Sequence, residues 1–183
     1  MKILAFLFFI ILSCSNSLAQ EKYISKTGHI WFYSKTPFEI IEAHNNQVAT
    51  VINTQKGTLA FDLLNKSFKF ERALMEEHFN ENYMESEKYP KSTFSGKFSD
   101  FDVSNFSKPG KYQVVVEGNL TIHGVSKQVK ENGTLEIKNG KIHAKAKFNI
   151  KPSDYKIQIP SLVKDKFASS METTIDITYE PVK

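Results

Sequence analysis

Residues 111–129 read Lys-Tyr-Gln-Val-Val-Val-Glu-Gly-Asn-Leu-Thr-Ile-His-Gly-Val-Ser-Lys-Gln-Val. The first half alternates. Tyr112, Val114, Val116, Gly118 and Leu120 fall on one side; Gln113, Val115, Glu117 and Asn119 fall on the other. A period of two predicts a strand with one apolar and one mostly wet face. Thr121-Ile122-His123-Gly124 predicts a bend, and residues 125–129 resume the extended pattern. Strands that are apolar on one side need a curved antiparallel sheet that closes over that side. The stretch therefore predicts a barrel with a binding cavity inside.

The flanking chain extends the pattern. Upstream, residues 23–26 and 28–34 predict a first strand pair or one long bent strand, with Ile30, Phe32 and Ser34 alternating against His29, Trp31 and Tyr33. Pro37 interrupts, because proline cannot donate to a ladder. Residues 38–43 fit a helical turn or a strand, and His44-Asn45-Asn46 predicts a turn. Residues 48–53 and 58–63 predict strands, the second with Leu59, Phe61 and Leu63 on one side. Over residues 68–83 the spacing changes to threes and fours, with Phe68, Phe70, Leu74, Met75, His78, Phe79 and Tyr83 on one stripe. That predicts the one helix of the folded part, lying over a barrel end. Phe94, Gly96 and Phe98 share a face of the strand at 92–98, and 100–109 predict a polar loop. Asn139-Gly140 predicts a hairpin between 134–138 and 141–150. Ile142, Ala144, Ala146, Phe148 and Ile150 share a face there. Residues 151–166 predict irregular structure and 172–180 a last strand. About eight strands and one helix predict a mainly β fold, an antiparallel barrel of lipocalin-like shape.

Composition narrows the function. The 183-residue chain carries a net +4, too small an excess to point to nucleic acid. It holds 15 Phe, 7 Tyr and a single Trp, an aromatic load suited to a packed or lipid-holding interior. Residues 1–19 predict a signal peptide: Lys2 as the basic region, an apolar run from Ile3 to Leu12, and Ser17-Leu18-Ala19 as the cleavage site. Residues 20–183 then form a single exported domain, periplasmic or secreted, with no transmembrane helix. The alternative uses Cys14 as the lipidated start of an anchored lipoprotein. Cys14 is the only cysteine, so the folded part has no disulfide.

Three segments resemble the YceI-like family. Leu120-Thr-Ile-His-Gly-Val-Ser-Lys127 is similar to its "L-T-I-H-G-V-T-K" signature. Gly28-His29-Ile30 opens the first strand in the family manner. Leu74-Met75-Glu76-Glu77-His78-Phe79, then Glu87-Lys88-Tyr89-Pro90 and Phe94, resembles its helix and helix exit. The likeness runs from about residue 27 to 181. It departs at Glu76-Glu77-His78, where the family has an Arg-Asp stretch, and at Ser34-Lys35-Thr36-Pro37. The resemblance implies an eight-stranded lipocalin-like barrel with one covering helix. It also implies an elongated apolar cavity for isoprenoids or similar amphiphilic lipids, and no enzymatic activity.

Chemistry-bearing motifs are few. His78 has no second histidine four residues away, so the helix does not carry a zincin pair, and no metal site is expected. There is no Gly-x-Ser-x-Gly elbow, phosphate loop or dinucleotide fingerprint, so no catalytic residue and no cofactor is expected. Glu71, Glu76, Glu77, Glu81, Glu85 and Glu87 read as a solvated face. The expected cavity lining is Phe32, Phe61, Phe70, Leu74, His78, Phe79, Phe94, Tyr112, Val114, His123, Ile142 and Phe148. Inward Gly96, Gly118, Ala144 and Ala146 are expected to leave volume unfilled. For His123 a structural tie to backbone carbonyls and a contact to a ligand head group both stay open. The expected function is binding, transport or sequestration of an isoprenoid or fatty-acyl lipid. The alternative is a structural or stress-related envelope protein with a filled barrel, and homodimer formation stays open.

Overall fold

Strand β1 (Lys22–Lys35) is one 14-residue strand whose inward residues include Ile30 and Ser34, both buried. It turns at Pro37 into β2 (Ile40–Asn53), and the two pair antiparallel from Lys22↔Asn53 to Lys35↔Ile40. The computed structural model describes residues 21–161 and 168–182; the predicted signal segment and Cys14 lie outside them. The other strands are β3 (Thr58–Leu64), β4 (Lys69–Phe70), β5 (Lys91–Phe98), β6 (Gly110–Ile122), β7 (Val125–Lys138), β8 (Lys141–Ile150) and β9 (Met171–Pro181). Their order is β1-β9-β8-β7-β6-β5-β3-β2, and the β1–β2 pairing closes the ring. The two-residue β4 sits beside β2, so eight strands make a closed antiparallel barrel. Closure gives each of the eight barrel strands a partner on both sides.

Two sequence expectations about loops are corrected. His44-Asn45-Asn46 is not a turn but part of β2. Gly28 faces Val48 and Ile30 faces Asn45, so β2 bulges by one residue here. Asn45 is wholly buried, donates from Nδ2 to the Leu64 carbonyl (3.0 Å) and accepts from the Gln47 N–H (2.9 Å). Its side chain thus serves backbone that the bulge leaves unpaired. Residues 100–109 are not simply a polar loop either. A 3₁₀ turn at Val103–Ser107, capped by Asp102 Oδ1 on the Ser104 N–H (2.9 Å), buries Phe106. Phe98, Phe101, Phe106 and Tyr112 stack edge to face or tilted, with centroids 4.8–5.8 Å apart. This cluster plugs one barrel end. Both ends of the described chain emerge there, with Tyr23 opposite Pro181 and the Val182 N–H donating to the Lys22 carbonyl (2.9 Å).

The helix is shorter than its spacing predicts. Lys69 and Phe70 pair with His44 and Ala43 of β2, and Arg72 is still extended. Only α1 (Ala73–His78) is α-helical, and a wider π-type turn at Phe79–Tyr83 follows it. Phe70 reaches the cavity from this short strand and Phe68 from the extended residue just before it, where the helical spacing assigned both to a helix. Elsewhere alternation holds: β6 buries Val114 and Leu120 inward and exposes Lys111, Gln113 and Asn119. Deep in the barrel Ile52, Leu135, Ile142, Ile177 and Tyr179 are almost wholly buried. Tyr179 OH lies 3.0 Å from Thr50 Oγ1, and burial pushes its pKa up to about 12.

Gly96 and Gly118 do not leave the expected space. They face each other across β5 and β6 at a close backbone approach. A Cβ on Gly118 would lie 2.4 Å from Gly96 Cα and 2.9 Å from Phe94 Cζ. The ring of Phe94 fills the place their side chains vacate.

On the outer wall, His29 stacks on Trp31 at 4.6 Å, and His29 Nε2 lies 3.0 Å from His44 Nδ1. Beyond them Asp176 accepts from His143 Nε2 (2.5 Å) and Lys145 Nζ (2.8 Å), and Glu42 sits 3.3 Å from His44 Nε2. Burial lowers the pKa of His29, neighbouring His44 lowers it further, and Asp176 opposes both.

Gly118→Ala should lower stability by about 1–3 kcal/mol through overpacking; a urea midpoint equal to wild type would show that β5 and β6 part freely. Because folding depresses the His29 pKa, its contribution is intact above about pH 6.5 and is lost as pH falls toward the folded-state value. The melting temperature should therefore drop on acidification below about pH 6.5, and His29→Gln should flatten that slope. An unchanged slope in the variant would sink this assignment.

Candidate ligand-binding cavity

Between α1 and the barrel interior lies a cavity of about 440 Å³. Its walls are Ile30 and Phe32 from β1, Phe61 and Leu63 from β3, Leu120 and Ile122 from β6, Phe148 and Ile150 from β8, and Met171 and Ile175 from β9. Phe70, Leu74, Met75, His78 and Phe79 roof it. Leu74 is 60% exposed, and Arg72 and His78 are exposed as well, so the cavity reaches the surface beside the helix. Phe32 packs against Phe68, Phe70 and Phe79 with centroids 5.3–5.9 Å apart, which seats the roof on β1. Arg72 pairs with Glu39 at the rim.

Polar groups in the wall are few and mostly occupied. Ser92 Oγ donates to Asn65 Oδ1 (2.8 Å), and Asn65 Nδ2 donates to the Tyr89 carbonyl (2.7 Å). Among the described residues no group of three or more His, Cys, Asp or Glu is arranged to hold a metal ion.

The expected lining divides three ways. Phe32, Phe61, Phe70, Leu74, His78, Phe79 and Phe148 line the cavity. Phe94 and Val114 border a smaller space of about 90 Å³ that shares Phe61, Leu120, Phe148 and Ile175 with it. Tyr112 belongs to the plug, Ile142 to the packed core, and His123 to a turn outside the cavity. Ala144 and Ala146 border the smaller space. The expected lining left out the aliphatic wall of Ile30, Leu63, Leu120, Ile122 and Ile150, the β9 residues Met171, Thr173 and Ile175, and Ile41 and the segment after β8, where Pro152, Ile157 and Ile159 close one side. The alternation Tyr155, Ile157, Ile159 was the available signal.

The sequence matches the model of the YceI-like domain over residues 26–180. The chain belongs to the YceI-like family. No curated protein matches it in sequence. A polyisoprenoid binding domain from Saccharophagus degradans, implicated in plant cell wall breakdown, superposes with a TM-score of 0.76 at 15% identity, over 89% of this chain and 99% of its own. BcnA of Burkholderia cenocepacia gives 0.69 at 15% identity, covering 82% and 95%. The Campylobacter jejuni YCEI protein gives 0.60 at 19% identity, covering 74% and 82%. At these identities the likeness establishes the shared barrel.

In this YceI-like barrel the signature histidine works as a latch. His123 (φ 51°) and Gly124 (φ 71°) form the tight turn between β6 and β7. Gly124 is required twice, by its left-handed backbone and because a Cβ would meet Tyr89 Cε1 at 2.5 Å. His123 Nε2 lies 2.8 Å from Glu85 Oε2, and Nδ1 lies 3.1 Å from the Tyr155 carbonyl oxygen. Glu85 (φ 44°) ends the roof, and Lys156 (φ 58°) begins the segment carrying Ile157 and Ile159. One ring thus ties two separate borders of the cavity, each bent through a left-handed residue that ordinary side chains disfavour.

His123→Ala should lower stability by about 1–3 kcal/mol, because it leaves the Tyr155 carbonyl without its imidazole partner and frees Glu85 from the turn. Hydrogen exchange should quicken in residues 79–89 and 155–159 ahead of β6 and β7. Uniform quickening across the barrel would refute the latch.

Proposed function

We propose that this YceI-like protein is a non-enzymatic carrier or sequestering protein for an amphiphilic lipid of isoprenoid or fatty-acyl type, working outside the cytoplasm. The observation that carries the reading is the apolar cavity of about 440 Å³ under a roof that reaches solvent. Ligand sites span about 300–1,000 Å³, so this volume suits a small molecule. Burial of a tail contributes about 0.8 kcal/mol per methylene, so hydrocarbon alone can bind well. The structural likeness to a domain described as polyisoprenoid binding supports the same class. The filled-barrel alternative fits the plugged end but not the roofed end.

The roof gives a route for loading. α1 has only six residues, too few to be stable by itself, so it holds its place through Phe70 and Phe79 against Phe32. Exposed Phe38, Ile40 and Leu74 lie around the rim, where an incoming tail would first leave water. The leader at residues 1–19 accounts for export in this reading.

Native mass spectrometry of protein recovered from its producing cells should show a co-purified lipid and a polypeptide mass starting at Gln20. Ile175→Trp, which fills the cavity floor, should weaken a fluorescent fatty-acid probe at least about tenfold while costing no more than about 1–3 kcal/mol of stability. A bare protein that also takes up no probe would overturn the reading.

A further inference from the structure

The wall of the cavity along β9 runs Met171, Thr173, Ile175, so its middle position is a hydroxyl among hydrocarbons. Thr173 is 5% exposed, and it sits between Phe32 of β1 and Phe148 of β8 in the register. Its Oγ1 is the one buried side-chain polar atom without a hydrogen-bond partner among the described residues. Buried hydroxyls are ordinarily satisfied, and an exception calls for an explanation. Thr50, buried on the same inner surface, shows the ordinary case: its Oγ1 donates to the Ala60 carbonyl (2.8 Å) and lies 3.0 Å from Tyr179 OH.

The rest of the wall is not short of partners. Arg72 pairs with Glu39, Asn65 with Ser92, Tyr83 has its own interaction, and His78 reaches solvent. Valine would fill the same shape in a strand with no hydroxyl to satisfy. In the rotamer seen here Oγ1 is itself closed to solvent, and one step of ~120° about χ1 exchanges it with the methyl, so a ligand meets the hydroxyl after that step.

We infer that Thr173 is a hydrogen-bonding subsite for an oxygen of the bound lipid, on the basis of the carrier reading above. The ligand is then an oxygenated chain, such as a long-chain alcohol, acid or ester, and not a plain hydrocarbon. Thr173 lies two residues in from the start of β9, near the roofed end, while Ile175 and Leu120 lie deeper. The oxygen therefore sits near the mouth and the tail points toward the plugged end.

The test compares 1-dodecanol with dodecane, each competing against a fluorescent fatty acid, in wild type, Thr173→Val and Thr173→Ser. Thr173→Val should weaken 1-dodecanol roughly 3- to 10-fold, leave dodecane unchanged or tighter, and keep or raise the melting temperature. Thr173→Ser should retain most of the alcohol preference. If Thr173→Val folds poorly, the alcohol-to-alkane ratio in Thr173→Ala reads the same loss. An equal effect on both compounds, or none on either, overturns the subsite and leaves the carrier reading standing. Wild type that binds neither compound removes the carrier reading and the subsite with it.

Discussion

The pairing of β1 with both β2 and β9 is the constraint from which the rest follows. Once eight antiparallel strands close, their number and tilt set the interior width, which allows side chains or one small ligand. What occupies each level is then a matter of side-chain volume. At one end four aromatic rings and the core around Leu135, Ile142 and Tyr179 use most of the space and leave a void of only about 90 Å³. At the other end the wall is mostly isoleucine and leucine with Phe32, Phe61 and Phe148, and the room left over is the cavity. The Gly96–Gly118 approach contributes to this division, because the space without their side chains is taken by the tip of the Phe94 ring.

The roof depends on the barrel in turn. A single helical turn and a half has no stability of its own, so its position is set from outside. Aromatic packing on Phe32 holds its start, and the bond from Glu85 to His123 holds its exit. His123 also engages Tyr155, so the roof and the segment after β8 share one fixing point. A ligand that lifts the roof has to work against this shared point, which links access to the cavity with the signature turn.

Strand positions were legible because a half-buried strand writes its two faces directly into residue order. β6 and the inward aromatics of β3 and β8 followed from that rule, and the β7–β8 hairpin from the Asn139-Gly140 turn signal. The errors share a cause. Phe70 matched helical spacing, but β2 offered it a strand partner in Ala43, and a local period cannot report a partner more than twenty residues away. Asn45 looked like a turn residue until a bulge gave its amide something to serve. Gly96 and Gly118 looked like vacancies because sequence shows missing side chains but not the strand or ring that moves in. His123 was open between two roles, and the structure places it on Glu85 and Tyr155, outside the cavity wall.

The plugged end has a practical side. Lys22 and Val182 meet beside it, bonded through the Val182 N–H, while α1 and the rim occupy the opposite pole. A sensor surface coupled beside either of these two residues would hold every molecule with its opening turned toward the solution. Uptake could then be read on an oriented layer, without cutting or permuting the chain.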